Sequence, residues 1–138
     1  MRISYLDQGK KGEKLANEYL IGKGYGVLDI NYFFKTETGR KIGEIDIIAK
    51  KGNVYVFIEV KTTVNHPNID DYFRLERRVD KKKSDKIIIT AQKWFLDKKI
   101  KTSNLKWQLD IIGVIISDTN DEDYKIIHLE NVFEDKEF

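Results

Sequence analysis

The stretch that decides the fold runs from residue 41 to residue 63 and reads K-I-G-E-I-D-I-I-A-K-K-G-N-V-Y-V-F-I-E-V-K-T-T. Ile, Val, Phe and Tyr dominate it, as is typical of β-strands. Lys51 and Gly52 lie between the two apolar runs, and glycine supplies the positive φ that short hairpin turns require. We therefore expect two antiparallel strands joined by a tight turn.

Pairing the strands across this turn opposes residues 50 and 53, 46 and 57, and 44 and 59. Because side chains alternate with period two, one face then carries charged residues among apolar ones and the other is apolar throughout. The first face comprises Ile42, Glu44, Asp46, Ile48, Tyr55, Phe57, Glu59 and Lys61, and the second comprises Ile45, Ile47, Ala49, Val54, Val56, Ile58 and Val60. A three- or five-residue loop would instead move one strand's charges to the other face.

The charged face brings carboxylates together. Asp46 and Glu59 are diagonal neighbours in this register, roughly 6–8 Å apart at Cβ, and can share one divalent cation. A structural ion pair of Lys61 with Glu59 or Asp46 is the alternative, since buried carboxylates are usually paired or metal-bound. With Glu44, three carboxylates face one lysine, and this excess of negative charge favours a cation site. Carboxylate oxygens suit Mg²⁺ or Mn²⁺.

The same residues match a known pattern. Asp46 followed by Glu59-Val60-Lys61 resembles the acidic residue and E-x-K motif of the PD-(D/E)XK nuclease superfamily. The segments G-E-I-D-I-I-A at 43–49 and V-F-I-E-V-K-T at 56–62 resemble its YraN-like group, and archaeal Holliday-junction resolvases carry a similar hairpin. Ile45 stands where the superfamily's name has proline.

The resemblance implies a Mg²⁺-dependent endonuclease, with Mn²⁺ as a substitute cofactor. Asp46, Glu59 and Lys61 would be catalytic, and Asp46, Glu59 and the carbonyl of Val60 would hold the metal. The run G-E-x-x-A-x-x-Y-L at 12–20 resembles the family's first helix, whose glutamate faces the site, so Glu13 joins the catalytic set.

The rest of the chain predicts the order helix, three strands, helix, then one or two strands. The predicted elements are a helix at 7–22 capped by Asp7, a strand at 25–34, the hairpin, a helix at 84–99 capped by Ser84, a buried strand at 107–116 and an edge strand at 124–129. This order indicates a mixed sheet with a helix on each side. The resemblance implies the restriction-endonuclease-like α/β/α fold, order αβββαβ. Asp110, within the buried strand, is expected to partner a cation or a backbone amide.

Length and composition favour one soluble domain spanning residues 1–138, with a core at about 9–116. No apolar run approaches the roughly 20 residues of a membrane span, there is no signal-peptide pattern, and cysteine is absent, so the cytoplasm is the expected location. Residues 117–138 form an acidic extension of net charge −6, whereas residues 1–116 carry +8. The basic body is typical of a nucleic-acid binder, although ordinary solubilising charge is an equal alternative.

Basic residues cluster at two places, the polar loop that holds Lys35, Arg40 and Lys41 and the run between positions 74 and 86. Seven Lys or Arg residues lie between positions 74 and 86, against three acidic ones. A phosphate-binding surface and a solvated helix face are both compatible with this run. The candidate nucleic-acid contacts are Lys35, Arg40, Arg74, Arg77, Arg78, Lys81, Lys82, Lys83 and Lys86.

The leading functional prediction is a metal-dependent nuclease that acts on DNA. The main alternative is a non-catalytic nucleic-acid-binding module of the same fold, and a third is an interaction protein with a buried ion network. A homodimer is possible, because a junction-cutting enzyme would need two sites, and Tyr72, Phe73 and Phe133 are candidate interface residues.

Overall fold

The computed structural model describes residues 5–64, 81–120 and 122–132. Its elements are helix α1 (Tyr5–Gly22), strands β1 (Gly26–Lys35), β2 (Lys41–Lys51) and β3 (Val54–Val64), helix α2 (Lys81–Asp97), and strands β4 (Lys106–Ile116) and β5 (Tyr124–Leu129). The predicted order is confirmed, including the final edge strand. Both helices begin earlier than predicted: Asp7 lies in the first turn of α1, and Ser84 is buried within α2, so neither residue is an N-cap.

The strands form one mixed sheet in the order β1-β2-β3-β4-β5. β3 and β4 run parallel, which requires a crossover connection, and α2 lies in that connection. The other neighbouring strands are antiparallel. This arrangement confirms the predicted three-layer α/β architecture and is consistent with a restriction-endonuclease-like fold.

Each helix packs on its own apolar core. Ala16 and Leu20 of α1 are fully buried against one side of the sheet. On the other side, Trp94 and Phe95 of α2 pack edge-to-face on Phe57 of β3. Trp94 is 2% exposed and therefore belongs to the core. Among the helices that the structure describes, none has the length and apolar character needed to cross a bilayer.

The hairpin has a different register from the predicted one. Lys51 pairs with Val54, so the turn consists of Gly52 and Asn53, and Gly52 has a φ of 60°. The pairing is displaced by two residues, and a displacement by an even number leaves the two faces of a strand unchanged. The ladder ends at the pair Ile47 with Ile58, so Asp46 and Glu59 are the next residues on their strands rather than the predicted diagonal pair.

Candidate active site

Along β2, the side chains stop alternating regularly between the two faces of the sheet at Asp46. Ile47 packs in the α1 core, whereas Ile45 packs in the α2 core together with Ile48. The predicted grouping of Ile45 with Ile47 is therefore wrong. The register of β1 and β2 sets Asn31 opposite Asp46, and Asn31 has a left-handed φ of 51°. Both strands bend at the same position, so Asp46 departs from the regular face pattern.

Asp46 lines an open cleft of about 390 Å³ beside the N-terminal half of α1. Its Oδ2 accepts a hydrogen bond from the backbone amide of Val60 over 2.8 Å. The cleft is lined by Gln8, Gly9, Glu13, Asp46, Val60, Lys61 and Thr62. It thus brings together four of the five residues that the sequence predicts as catalytic or metal-binding.

A glycine allows α1 to approach the cleft. A Cβ atom at Gly12 would lie only 1.7 Å from Oγ1 of Thr62 in β3. No side chain fits there, so the helix backbone contacts the strand directly. Glu13 follows Gly12 and lines the cleft beside Asp46. This is the physical reason for a glycine before the glutamate in this helix.

Glu59 lies at the α2 side of the site. Its Oε1 forms ion pairs with Lys61, at 3.0 Å, and with Lys83 of α2. The alternative of a Lys61–Glu59 ion pair is therefore present in the structure. The second oxygen, Oε2, is buried and has no hydrogen-bond partner among the described residues. A buried carboxylate oxygen without a partner is costly, and a bound cation would satisfy it.

The carboxylates of the site raise one another's pKa values. Burial raises the pKa of Asp46 to about 6, with the negative charges of Glu13, Glu59 and Glu44 adding to it and the Val60 amide opposing it. Burial also raises the pKa of Glu13, although its hydrogen bond from Asn31 lowers it. A cation would relieve this mutual repulsion. Asp46 and Glu59, whose Oε2 has no partner among the described residues, offer oxygen donors of the kind that a hard divalent ion takes.

Lys61 and Lys83 lie close enough to change each other's pKa values. Burial lowers the pKa of Lys61, and the nearby ammonium of Lys83 lowers it further. Burial opposes the charge of Lys83, but the hydrogen bond to Glu59, the interaction with Lys61 and the negative charges of Glu59 and Asp46 together outweigh it, so the pKa of Lys83 is raised. Lys61 is thus the lysine whose ammonium more readily releases a proton.

The predicted nucleic-acid contacts occupy different places. Lys83 lies in the site itself, on Glu59, rather than on an outer surface. Lys86, Arg40 and Lys35 are exposed. Lys35 and Lys41 both lie over the half-exposed ring of Phe33. The remaining candidates, and the proposed interface residues, lie outside the described residues or have side chains outside them: Arg74, Arg77, Arg78, Lys81, Lys82, Tyr72, Phe73 and Phe133.

A second polar cluster surrounds Asp110, which is fully buried in β4. Its Oδ1 accepts a hydrogen bond from the backbone amide of Asn131, which confirms the predicted partner. Its Oδ2 lies 2.7 Å from Nε2 of His128 in β5, and Nδ1 of His128 lies 3.0 Å from the Tyr19 hydroxyl. Candidate ligand atoms of Asp110, His128 and Glu130 lie within 4.8 Å of one another, close enough to hold a metal ion.

Sequence reasoning missed His128 and Glu130. A single histidine in a short edge strand carries no pattern that reveals a partner 18 residues away. The only available signal was Asp110 itself, because a carboxylate in an apolar strand requires a partner somewhere in the fold.

Comparison with known proteins places the chain in a family. Residues 12–114 match the sequence profile of Uncharacterised protein family UPF0102, the YraN-like group. A UPF0102 protein of Campylobacter lari is 39% identical over 118 residues, covering 86% of this chain and 92% of the relative. One from Clostridium tetani is 36% identical over 132 residues, covering 95% and 98%. One from Thermodesulfovibrio yellowstonii is 37% identical over 131 residues, covering 95% and 99%. The chain therefore belongs to the UPF0102 family.

Proposed function

We propose that this protein is a metal-dependent nuclease of the PD-(D/E)XK superfamily that hydrolyses phosphodiester bonds, with DNA as its expected substrate. The observation that carries the proposal is the buried Oε2 of Glu59, which has no hydrogen-bond partner within the described ranges, in a site where Asp46 and Lys61 both have perturbed pKa values. Perturbed titratable groups that converge in a cleft are typical of catalytic sites.

Asp46 and Glu59 would hold Mg²⁺, for which Mn²⁺ could substitute. When bound, such an ion lowers the pKa of a water molecule and neutralises charge on a phosphate. Val60 supports the site by fixing the Asp46 carboxylate through its amide. Glu13, on the opposite wall of the cleft, is positioned to accept a proton or to orient water.

Lys61 has two uses in this reaction. Its ammonium can stabilise negative charge that develops on a phosphate oxygen. Because its pKa is lowered, it can also take part in proton transfer nearer to neutral pH than an ordinary lysine. Its ion pair with Glu59 holds it at the edge of the cleft.

Cleavage of a panel of labelled linear, single-stranded, flap and four-way-junction DNAs tests the proposal. We expect endonucleolytic cutting in Mg²⁺ or Mn²⁺ and none in EDTA. Asp46→Ala and Lys61→Ala should each lower the rate at least about a hundredfold, since positioned acid–base groups and charge stabilisers contribute on that scale. Asp97→Ala and Lys93→Ala are matched controls, because those residues form an exposed ion pair on α2.

A non-catalytic nucleic-acid-binding module is the second candidate. It is favoured by the exposed Lys35 and Lys41 that flank the Phe33 ring, a grouping suited to phosphate and base contacts. Salt-sensitive DNA binding without cutting, unchanged in Asp46→Ala and Lys61→Ala, would support the module and overturn the nuclease proposal.

A further inference from the structure

An exposed aromatic ring lies on the sheet close to the candidate active site. Phe33 of β1 pairs directly with Glu44 of β2, and Glu44 precedes Asp46 by two residues, which span roughly 7 Å in a strand. Ile45 packs in the α2 core, so its neighbour Glu44 lies on the α1 side of the sheet, where its charge acts on Glu13. Directly paired residues share a face, so the Phe33 ring lies on the same side of the sheet as Glu13.

The Phe33 ring is open to solvent and has basic neighbours. Nζ of Lys41 lies 4.8 Å and Nζ of Lys35 lies 5.9 Å from the ring centroid. Phe33 is 45% exposed even with both ammonium groups in place. Lys41 is held by an ion pair of 2.8 Å with Glu44, so its charge is partly compensated. Lys35 is at the outer limit of a cation–π contact, and its ammonium group can therefore turn from the ring toward an anion.

These features select the ligand. An aromatic ring offers a face on which another flat ring stacks, and an ammonium group beside it attracts an anion. A nucleotide of a single strand presents both a free base and a phosphate to such a pair of groups. In a continuous duplex, neighbouring base pairs cover both faces of each base. The ring can therefore stack only on a base that is unpaired or has left the helix.

We propose that Phe33 is a stacking platform for one unpaired base of the substrate, so that the protein acts on single-stranded or flapped nucleic acid rather than on continuous duplex. The base packs on the ring and its phosphate contacts Lys35. The scissile bond then lies about two nucleotides away, since stacked nucleotides rise about 3.4 Å each. Only the scissile phosphate enters the acidic cleft, and it does so with the metal ion bound there. This inference rests on the proposed function in one respect, since it takes the substrate to be a nucleic acid.

Binding measured in EDTA tests the platform without metal or cleavage. Fluorescence anisotropy would compare three labelled ligands, namely twelve-residue oligo(dT), an abasic oligomer with the same number of phosphates, and a blunt duplex of twelve base pairs. Phe33→Ala should weaken the binding of oligo(dT) about tenfold, the scale of one stacked base. Its affinity for the other two ligands should change less than about twofold, because the abasic oligomer has no base and the duplex has no unpaired one.

Two further variants separate stacking from structure. Tyr124→Ala is the matched control, since Tyr124 is an aromatic residue of similar exposure, 49%, on β5 at the opposite edge of the sheet. It should bind all three ligands as the wild type does. Phe33→Trp should bind oligo(dT) at least as tightly as the wild type, because it keeps an aromatic face of larger area. Far-ultraviolet circular dichroism would establish that each variant is folded.

Lys35→Met tests the phosphate contact. It should weaken the binding of oligo(dT) and of the abasic oligomer alike, by about fivefold at about 0.1 M salt. The slope of log affinity against log salt should become shallower by about 0.7, the value for one phosphate of a single strand. Lys93→Met, which removes an exposed lysine from α2, should change neither the affinity nor the slope.

Equal losses of oligo(dT) and abasic binding in Phe33→Ala, or a Phe33→Ala variant that behaves like Tyr124→Ala, would overturn the inference. Cutting of single strands and flaps that is faster than cutting of duplex, with the difference lost in Phe33→Ala, would establish it. Cleavage that is as fast on blunt duplex would overturn it and leave the proposed function standing. A selective loss of oligo(dT) binding in Phe33→Ala, without cleavage by the wild type in Mg²⁺, would keep the platform and remove the nuclease.

Discussion

Lys83 of α2 forms an ion pair with Oε1 of Glu59 in β3, so the helix supplies a cation to the residue expected to hold a metal. Lys61 contacts the same oxygen. A divalent ion at Glu59 must therefore compete with two ammonium groups for one carboxylate, and the affinity of the site reflects that competition.

Lys83→Met should raise the affinity for Mn²⁺ about fivefold. The substitution removes a positive charge close to the site, which near a solvated surface is equivalent to about 1 kcal/mol. Titration calorimetry would measure the change. Lys93→Met, on the exposed side of the same helix, is the control and should leave the affinity unchanged. Equal affinities for wild type and Lys83→Met would show that the lysine and the cation do not compete.

Gly12→Ala should lower the free energy of unfolding by about 1–3 kcal/mol. A methyl group there would overlap Oγ1 of Thr62, and either the helix or the strand must move. Gly9→Ala, in the same helix with nothing within 4 Å of the added atom, should instead stabilise by up to about 1 kcal/mol through helix propensity. Urea denaturation measures both. If Gly12→Ala were as stable as Gly9→Ala, α1 would not depend on this close contact.

The ionisation of Asp46 should change the free energy of unfolding of the protein. Its pKa is about 6 in the folded protein against 3.8 for the ordinary group, so the folded state holds the proton more tightly than the unfolded chain. Ionisation therefore destabilises the fold as the pH rises from about 4 to about 7. Asp46→Asn keeps an acceptor for the Val60 amide and should be about 3 kcal/mol more stable than wild type at pH 8, given about 1.4 kcal/mol per pKa unit.

The advantage of Asp46→Asn should disappear at pH 4, where the wild-type carboxyl is protonated. Asp97→Asn is a control for which the pH dependence of stability should have the opposite sign. The hydroxyl of Tyr32 lowers the pKa of Asp97, so its charge contributes stability that is lost as the pH falls. Denaturation curves at pH 4, 6 and 8 would measure both variants. A constant difference between Asp46→Asn and wild type at all three values would contradict the assigned pKa.

The Asp110 cluster should behave as a structural network. Both oxygens of Asp110 and both ring nitrogens of His128 already have hydrogen-bond partners, so adding Zn²⁺ should leave the unfolding temperature close to its value in EDTA. His128→Ala should lower the free energy of unfolding by about 2–4 kcal/mol, because it leaves a buried carboxylate with fewer partners. A rise of several degrees in Zn²⁺, lost in His128→Ala, would instead identify a metal site.

Much of the fold could be predicted from the sequence because apolar residues recur with a period of two in the strands. The hairpin register could also have been recognised, since Gly52-Asn53 is one of the dipeptides that favour a two-residue turn. The bend at Asn31 and Asp46 could not have been predicted from the sequence. It depends on two neighbouring strands deviating together, and neither strand alone departs from an ordinary strand pattern. For that reason Ile45 was predicted on the wrong face of the sheet.

The candidate site, like the fold, could be predicted from the sequence only in part. Asp46, Glu59 and Lys61 stand in a recognisable order along the chain, so sequence reasoning found them. Lys83 belongs to a basic run whose members look alike in sequence. Only the packing of α2 against β3 distinguishes it, by setting it on Glu59. Which lysine of a run enters a site depends on helix rotation, which periodicity determines only approximately.

The link between Tyr19 and His128 joins residues 109 positions apart in the chain. Tyr25, just after α1, reaches Glu130 in the same way, so the helix that carries Glu13 is secured by residues beyond position 114, where the family match ends. During synthesis α1 leaves the ribosome before β5 and Glu130 do. A chain that ended before β5 would therefore keep Glu13, Asp46 and Lys61 and still lack the strand that secures the helix lining the cleft. The geometry of the cleft therefore depends on a strand that is synthesised after every residue that lines the cleft.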